Sequence, residues 1–298
     1  MLRKLTLALV ISALAVSATA ADKQPAVHIL ASLPVTYGLG QILLKDSGVE
    51  LERAAPANLP GSRQTAYFTG RGVEALRTLA LEADAVIGLR SIWPDDPLYT
   101  NARRSNIRIV EIDAARPVDG ALPGIALQPG QGADGLGSQP WLSSNNLGRM
   151  ADVTAADLVR LAPAAKPRIE ANLSALKQQL LKLNAESETA LAKADNLSVV
   201  TLSGHFGYLI SGLNLELAAT QVLADDQWTP EAVQQLTQSL KDNDVALVLD
   251  HRQPPEAVTA AITAAGSKLL VLASEGDDPL AHLQNNITQV TQALSAPR

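Results

Sequence analysis

Between residues 166 and 193, Ile169, Leu173, Leu176, Leu180 and Leu183 recur at alternating steps of four and three, with Lys, Gln, Glu and Asn between them. That spacing predicts one amphipathic helix, roughly 40 Å long at about 1.5 Å per residue. It separates two stretches that each alternate short apolar runs with helical patterns, so it acts as a stiff spine between two α/β halves.

Ahead of the spine, 27–33, 49–54, 83–89 and 107–113 are brief, rich in β-formers and bounded by turn residues, as buried strands of a parallel sheet are. Helical spacing fills 36–47 and 71–83. Residues 114–148, rich in Gly, Pro, Ser and Asn, read as a long loop. Behind the spine the scheme repeats, with strands expected at 197–203, 215–222, 244–250 and 268–274. Helices are expected at 206–212, 230–241, 255–265 and 279–294, with Thr229 capping the second and Pro230 in its first turn. The expected fold is α/β: two Rossmann-like lobes, each with a mostly parallel four-stranded sheet, joined by one long spine helix. The lobes would span 21–165 and 195–298, with the helix over 166–194. Ligands of open parallel sheets sit at the carboxyl ends of the strands, which here would face one another across a cleft.

Residues 1–20 read as a secretory signal peptide: Arg3 and Lys4, then an apolar run too short to span a bilayer, then Ala18-Thr19-Ala20. Cleavage before Ala21 and a periplasmic location are expected, with no membrane insertion. Removing Arg3 and Lys4 leaves 22 basic against 30 acidic residues, and no basic stripe for nucleic acid. The chain has no cysteine, which excludes a disulfide scaffold and a lipid-anchored cysteine. It carries no Gly-x-Ser-x-Gly elbow, phosphate loop or carboxylate pair spaced for glycoside hydrolysis, so no enzyme is expected. The acidic pairs 95–96, 225–226 and 277–278 read as solvated turn and cap residues.

Four segments, GSRQTAY (61–67), GSQPWLSSNN (137–146), SGHFGY (203–208) and VLASEGDD (271–278), together with the two-lobe plan, resemble the periplasmic solute-binding proteins of zinc and manganese ABC transporters. The resemblance spans nearly the whole chain after residue 20. In that family the first three segments each supply a metal-binding histidine and the fourth an acidic ligand. Here the glycine and tyrosine of the first, the Trp-Leu-Ser of the second and the Phe-Gly-Tyr of the third are kept. Thr65, Gln139 and Ser203 stand at the histidine positions, and Ala273 or Ser274 at the acidic one, with Glu275, Asp277 and Asp278 nearby. Asp250 falls where the family often has a glutamate that need not bind metal. Zinc and manganese sites need imidazole or carboxylate donors, so the resemblance implies no bare ion at the family site.

Only nine aromatic residues occur, and Tyr67, Trp141, Phe206 and Tyr208 lie in segments that would converge on the cleft. They are either scaffold packing shared with metal-binding relatives or the lining of a larger organic ligand site. Arg63, Arg71, Arg90 and Arg252 sit at strand or loop ends and would grip an anionic ligand, unless they are ordinary solvated arginines. The candidate ligand-binding set is therefore Arg63, Tyr67, Arg90, Gln139, Trp141, Ser203, His205, Phe206, Tyr208, Asp250 and Arg252.

The chain has four histidines. His205 reads as a pocket-lining hydrogen-bonding residue, His28 as a core or sheet-end residue and His282 as a helix-surface residue. A Ser203–His205–Asp250 hydrolase arrangement is disfavoured, because Ser203 and His205 would point apart. The resemblance implies a solute-binding protein that takes a metal chelate of the ferric siderophore type, pyoverdine-like, the metal carried within the chelate and no cofactor resident. Its partners would be an ABC permease and a second periplasmic metal-binding protein. Two alternatives stand beside it: an accessory protein docking on such a partner, and an ion-binding protein with a site relocated to His205, His251 and nearby acids.

Overall fold

The computed structural model describes residues 26–118, 120, 122–128 and 135–296; the signal-peptide segment lies outside them. The first sheet is built from β1 (His28–Ala31), β2 (Glu50–Arg53), β3 (Ala85–Gly88) and β4 (Val110–Asp113), in the order β2-β1-β3-β4 and parallel throughout. Its connecting helices are α1 (Pro34–Leu44), α2 (Gly61–Phe68), α3 (Val73–Glu82) and α4 (Pro97–Ala102). Three helices then lead to the second sheet: a short α5 (Gly135–Ser138), α6 (Ser144–Leu161) and α7 (Lys166–Leu191). The second sheet repeats the first: β5 (Ser198–Thr201), β6 (Glu216–Thr220), β7 (Leu247–Asp250) and β8 (Lys268–Val271), in the order β6-β5-β7-β8. Its helices are α8 (Gly207–Gly212), α9 (Pro230–Asp242), α10 (Glu256–Ala264) and α11 (Pro279–Ser295).

All eight expected strands form, and α7 is the expected spine. Its buried face carries Ile169, Leu176, Leu180 and Leu183, with Leu173 half-buried at its edge. Thr229 caps α9 by accepting from the Ala232 amide at 3.3 Å, a contribution of about 1 kcal/mol. Two segments depart from expectation. Gly61–Phe68 is helical, and the stretch expected to be loop to residue 148 becomes α6 from Ser144 onward. Its Ser-Asn-Asn start looks like a turn, yet the polarity serves a tertiary contact: the Asn146 amide bonds both backbone groups of Ala126 and the carbonyl of Pro140. Leu147, Met150, Ala151, Thr154 and Leu158 then bury one broad face. The spine is accordingly no lone rod, since α7 packs on α6, α1 and α11.

That packing decides how the lobes are joined. Ile29, Ile87 and Ile112 of the first sheet and Val199, Leu247 and Leu249 of the second belong to one continuous hydrophobic cluster, shared through Leu147, Met150, Leu176 and Leu180. The opposite face of each sheet has its own smaller cluster, around Phe68 and Val86 and around Val200 and Val248. Opening the lobes by a wide hinge would expose part of the shared core, at about 25 cal/mol per Å². The strand ends that flank the cleft are thus held at nearly fixed separation.

Candidate ligand cleft

The carboxyl ends of β1 and β8 meet at a small cavity lined by Leu33, Gly61, Trp141, Glu275, Pro279 and His282, with a volume of about 20 Å³. Trp141 is delivered by a 3₁₀ turn, Pro140–Leu142, that packs on α8 of the second lobe. Thr65 lies four residues beyond Gly61 on α2, with its side chain exposed, and does not line this cavity.

The donors at the family's four ligand positions are neutral. Gln139 is 1% exposed, adopts a left-handed backbone with φ of 46°, and its Oε1 has no hydrogen-bond partner among the described residues. A left-handed glutamine costs roughly 1 kcal/mol or more and a buried orphan oxygen adds to that, a combination that marks functional positions. Ser203 is fully buried; its Oγ accepts from the His205 amide at 3.3 Å and its own amide donates to Thr201 Oγ1. At the fourth position the Ala273 carbonyl accepts from His282 Nε2 at 2.8 Å and Asn286 Nδ2 at 3.0 Å. A hydroxyl, an amide, a hydroxyl and a committed carbonyl do not make a zinc or manganese set. Among the described residues no group of three or more His, Cys, Asp or Glu side chains converges to hold an ion.

His282 is a correction. It is buried and lines the cavity, because Gly276 approaches its ring so closely that a Cβ there would lie 3.0 Å from the His282 Cβ. With Nε2–H donating to Ala273, the Asn286 amide also points to that carbonyl, and the pair seals the end of β8. The signal in the sequence was the His282–Asn286 spacing of one helical turn.

The remaining candidates divide into three groups. His205 and Asp250 come together with His251 at the ends of β5 and β7. His205 Nδ1 bonds the Gly137 carbonyl at 2.8 Å, and His251 Nδ1 lies 3.1 Å from Asp250 Oδ1, off the line of a good hydrogen bond. The two imidazole centroids are 4.9 Å apart at 82°. Burial first, then the neighbouring His205, hold the His251 imidazole below the usual histidine range. Phe206 and Tyr208 are buried; the Tyr208 hydroxyl accepts from the Gln128 amide at 2.8 Å, tying the segment before α5 to the second lobe. The last group lies away from the cavity lining. Tyr67 packs edge-on to Phe68 with Arg71 over its ring, Arg90 pairs with Glu111 at 3.1 Å, Arg252 pairs with Asp225 at 2.9 Å, and Arg63 is exposed on α2. Arg53 pairs with Asp277 in the turn after β8.

A mutant of FpvC from Pseudomonas aeruginosa superposes with a TM-score of 0.70 at 22% identity, covering 90% of this chain and 99% of that one. The metal-dependent lipoprotein YcdH from Bacillus subtilis gives 0.71 at 18%, covering 91% and 100%. The zinc-bound ZnuA-like domain of AdcA from Streptococcus pneumoniae gives 0.69 at 19%, covering 91% and 100%. No curated protein matches by sequence. The family model for ZnuA, the periplasmic component A of the zinc-uptake complex, matches residues 94–296, about two thirds of the chain. The chain therefore belongs to the ZnuA family of periplasmic solute-binding proteins, which serve metal ABC transporters.

Proposed function

We propose that this protein is exported through its N-terminal signal and delivers metal to an ABC permease as a complex with an organic chelator of the siderophore class, not as a free ion. The observation that carries the reading is the neutral donor set at the positions the family resemblance singles out, Thr65, Gln139, Ser203 and the Ala273 carbonyl, together with Trp141 in the cavity lining. A cavity of about 20 Å³ has no room for such a chelate, which would therefore lie at the cleft mouth over Trp141. A second periplasmic metal-binding protein would hand the chelate over or receive the released ion.

The small cavity and the Arg53–Asp277 pair, which ties β2 to the turn after β8, also favour a second reading, an accessory protein that docks on that partner without taking a ligand. Tryptophan fluorescence separates the two. Ferric siderophores quench the wild-type protein saturably and quench Trp141→Phe much less, while Zn²⁺ and Mn²⁺ salts leave both unchanged. Tight quenching by Zn²⁺ alone overturns the proposal. Silence toward every chelate, with capture of a purified partner binding protein, replaces it with the accessory role.

A further inference from the structure

His251 stands between two opposed neighbours. Its Nδ1 is buried and has no hydrogen-bond partner among the described residues, although Asp250 Oδ1 lies 3.1 Å away. That oxygen accepts from the His251 amide at 2.7 Å. The Asp250 side chain is 5% exposed, and among the described residues its ionic partner is His251. Against the same ring stands the His205 imidazole, edge to face with centroids 4.9 Å apart. His205 is itself anchored: a carbonyl oxygen only accepts, so its Nδ1 carries the hydrogen that bonds Gly137 at 2.8 Å. Gly137 belongs to α5, two residues before Gln139 and four before Trp141. The ring pair thus backs the segment that delivers Trp141 to the cavity.

The two charge states of His251 favour different ring positions. Neutral, the imidazole packs on His205 as one aromatic ring on another. Protonated, it places charge on a half-buried side chain beside a second imidazole and Arg252. We infer that His251 is a proton-operated latch on the cavity wall. In the neutral form it packs on His205 and holds α5; on taking a proton it turns to Asp250 and releases the 3₁₀ turn Gly204–Phe206, and α5 with it. The turn is about χ2, a soft torsion in histidine, and it trades an aromatic contact for a charge-assisted Nδ1–H bond to the carboxylate. The charged groups facing the ring are Asp250, His205 and Arg252, whose own partner is Asp225 at 2.9 Å. From α5 comes the Gly137 carbonyl, an acceptor that His205 uses in either state. Histidine changes charge between about pH 5 and 8. Burial first, then His205, put the change of His251 toward the acid end of that window. The unfolded chain binds this proton more readily, so stability falls as pH drops below about 6.5 and levels off once the folded protein is protonated too.

The latch needs no ligand and holds whichever cargo or partner the cleft takes. Long-range ¹H–¹⁵N NMR follows the four imidazoles, and ordinary amide spectra follow residues 137–142, from about pH 8 to about pH 4.5. His251 titrates below the usual histidine value, and the amides of 137–142 shift with the same midpoint while circular dichroism stays constant. Hydrogen exchange at 137–142 and 203–206, corrected for its intrinsic rate, rises several-fold through the transition. In His251→Gln the amide transition disappears. In His205→Gln the His251 midpoint rises, because a like charge is gone. In Asp250→Asn it falls, because the carboxylate that favours the imidazolium is now neutral, and His28→Ala leaves it unchanged. A transition at 137–142 that survives His251→Gln, or a His251 titration that leaves those amides still, overturns the latch. So does an amide transition that coincides with loss of circular dichroism, which is acid unfolding. If His205→Gln does not fold, His251→Gln, at a side chain 33% exposed, decides alone.

Discussion

Arg53, the last residue of β2, reaches Asp277 in the turn after β8, with Nη2 2.5 Å from Oδ1. The guanidinium also lies 4.7 Å over the Tyr37 ring of α1, so one side chain ties the first lobe to the turn that closes the cavity. The Asp277 carboxylate is 57% exposed, which limits such a pair to about 0–1 kcal/mol of stability. Its consequence is local. Arg53→Ala leaves the global unfolding midpoint within about 1 kcal/mol of wild type and raises hydrogen exchange over residues 274–280 several-fold. Unchanged exchange there would mean that packing alone holds the turn.

The same pair predicts a pH dependence. Arg53 holds the Asp277 carboxyl below the usual carboxylate range. A depressed folded pKa contributes stability above the unfolded value, about 3.9, and that contribution is lost as pH falls through the lower folded value. The turn therefore stays closed through the ordinary aspartate range and loosens only below it. In Arg53→Ala the pair is absent at every pH, and the Asp277 carboxyl titrates at a higher pH than in wild type. Carbon-detected NMR titration of the Asp277 carboxyl checks the shift, and coincident titrations in the two proteins would refute it.

Gly38 shows how tightly that turn is seated. A Cβ at this position would lie 2.0 Å from the Asp277 carbonyl oxygen and 2.5 Å from Pro279 Cδ. Backbone and a proline ring cannot swing aside as a flexible side chain does, so Gly38→Ala pushes the turn off α1. Overpacking of this kind costs about 1–3 kcal/mol, read from the urea midpoint. The Trp141 emission shifts red as the cavity it lines admits water. A variant of wild-type stability with unchanged emission would show that the turn has a second seat.

How much of this was legible beforehand follows from which contacts are local. The spine and the strands carry their pattern within one element, so Ile169 through Leu183 and the apolar runs announce themselves. Gly61–Phe68 and Ser144–Leu161 do not, because their polar starts are committed to distant partners: Gln64 to the Ser32 carbonyl, Asn146 to Ala126 and Pro140. Of the residues in the family segments, Trp141 lines the cavity, while Thr65 is exposed and Gln139 and Ser203 are buried outside its lining. Side-chain pairing has no such local signature. Nothing near Arg90 in sequence indicates Glu111 as its partner, nor does anything near Arg53 indicate Asp277, and His282 carries surface-like neighbours although it faces inward.

His282 and Asn286 supply a stability test of that inward face. Asn286 is fully buried, and its Nδ2 and His282 Nε2 both meet the Ala273 carbonyl. Asn286→Ala removes one of two donors to a buried acceptor and leaves a small void, a loss of about 1–3 kcal/mol. Asn286→Leu fills the void, yet leaves His282 as the sole donor, and recovers part of the loss. Equal stability of wild type and both variants by chemical denaturation would remove the pair from the account of how β8 ends.

The strongest prediction reverses the substitutions at the family positions. Gly61 and Thr65 share a face of α2, Gln139 sits two residues before Trp141, Ser203 ends the segment after β5, and Glu275 lines the cavity. If the cleft differs from an ion-binding one chiefly in its donors, Thr65→His, Gln139→His and Ser203→His together supply three imidazoles, with the Glu275 carboxylate as fourth ligand of a tetrahedral site. Gln139 and Ser203 are buried, so the larger rings cost about 1–3 kcal/mol in the empty protein. Bound ion returns that stability by mass action, and about 100 times the dissociation constant of Zn²⁺ raises it by about 2.7 kcal/mol. The triple variant therefore melts below wild type without metal and above its own metal-free value with Zn²⁺, and its zinc affinity exceeds that of wild type by two orders of magnitude or more, about 2.7 kcal/mol. A folded triple variant with no gain in zinc affinity would show that the backbone of the cleft, held by the left-handed Gln139 and the Arg53–Asp277 pair, has moved the four positions out of reach of one ion.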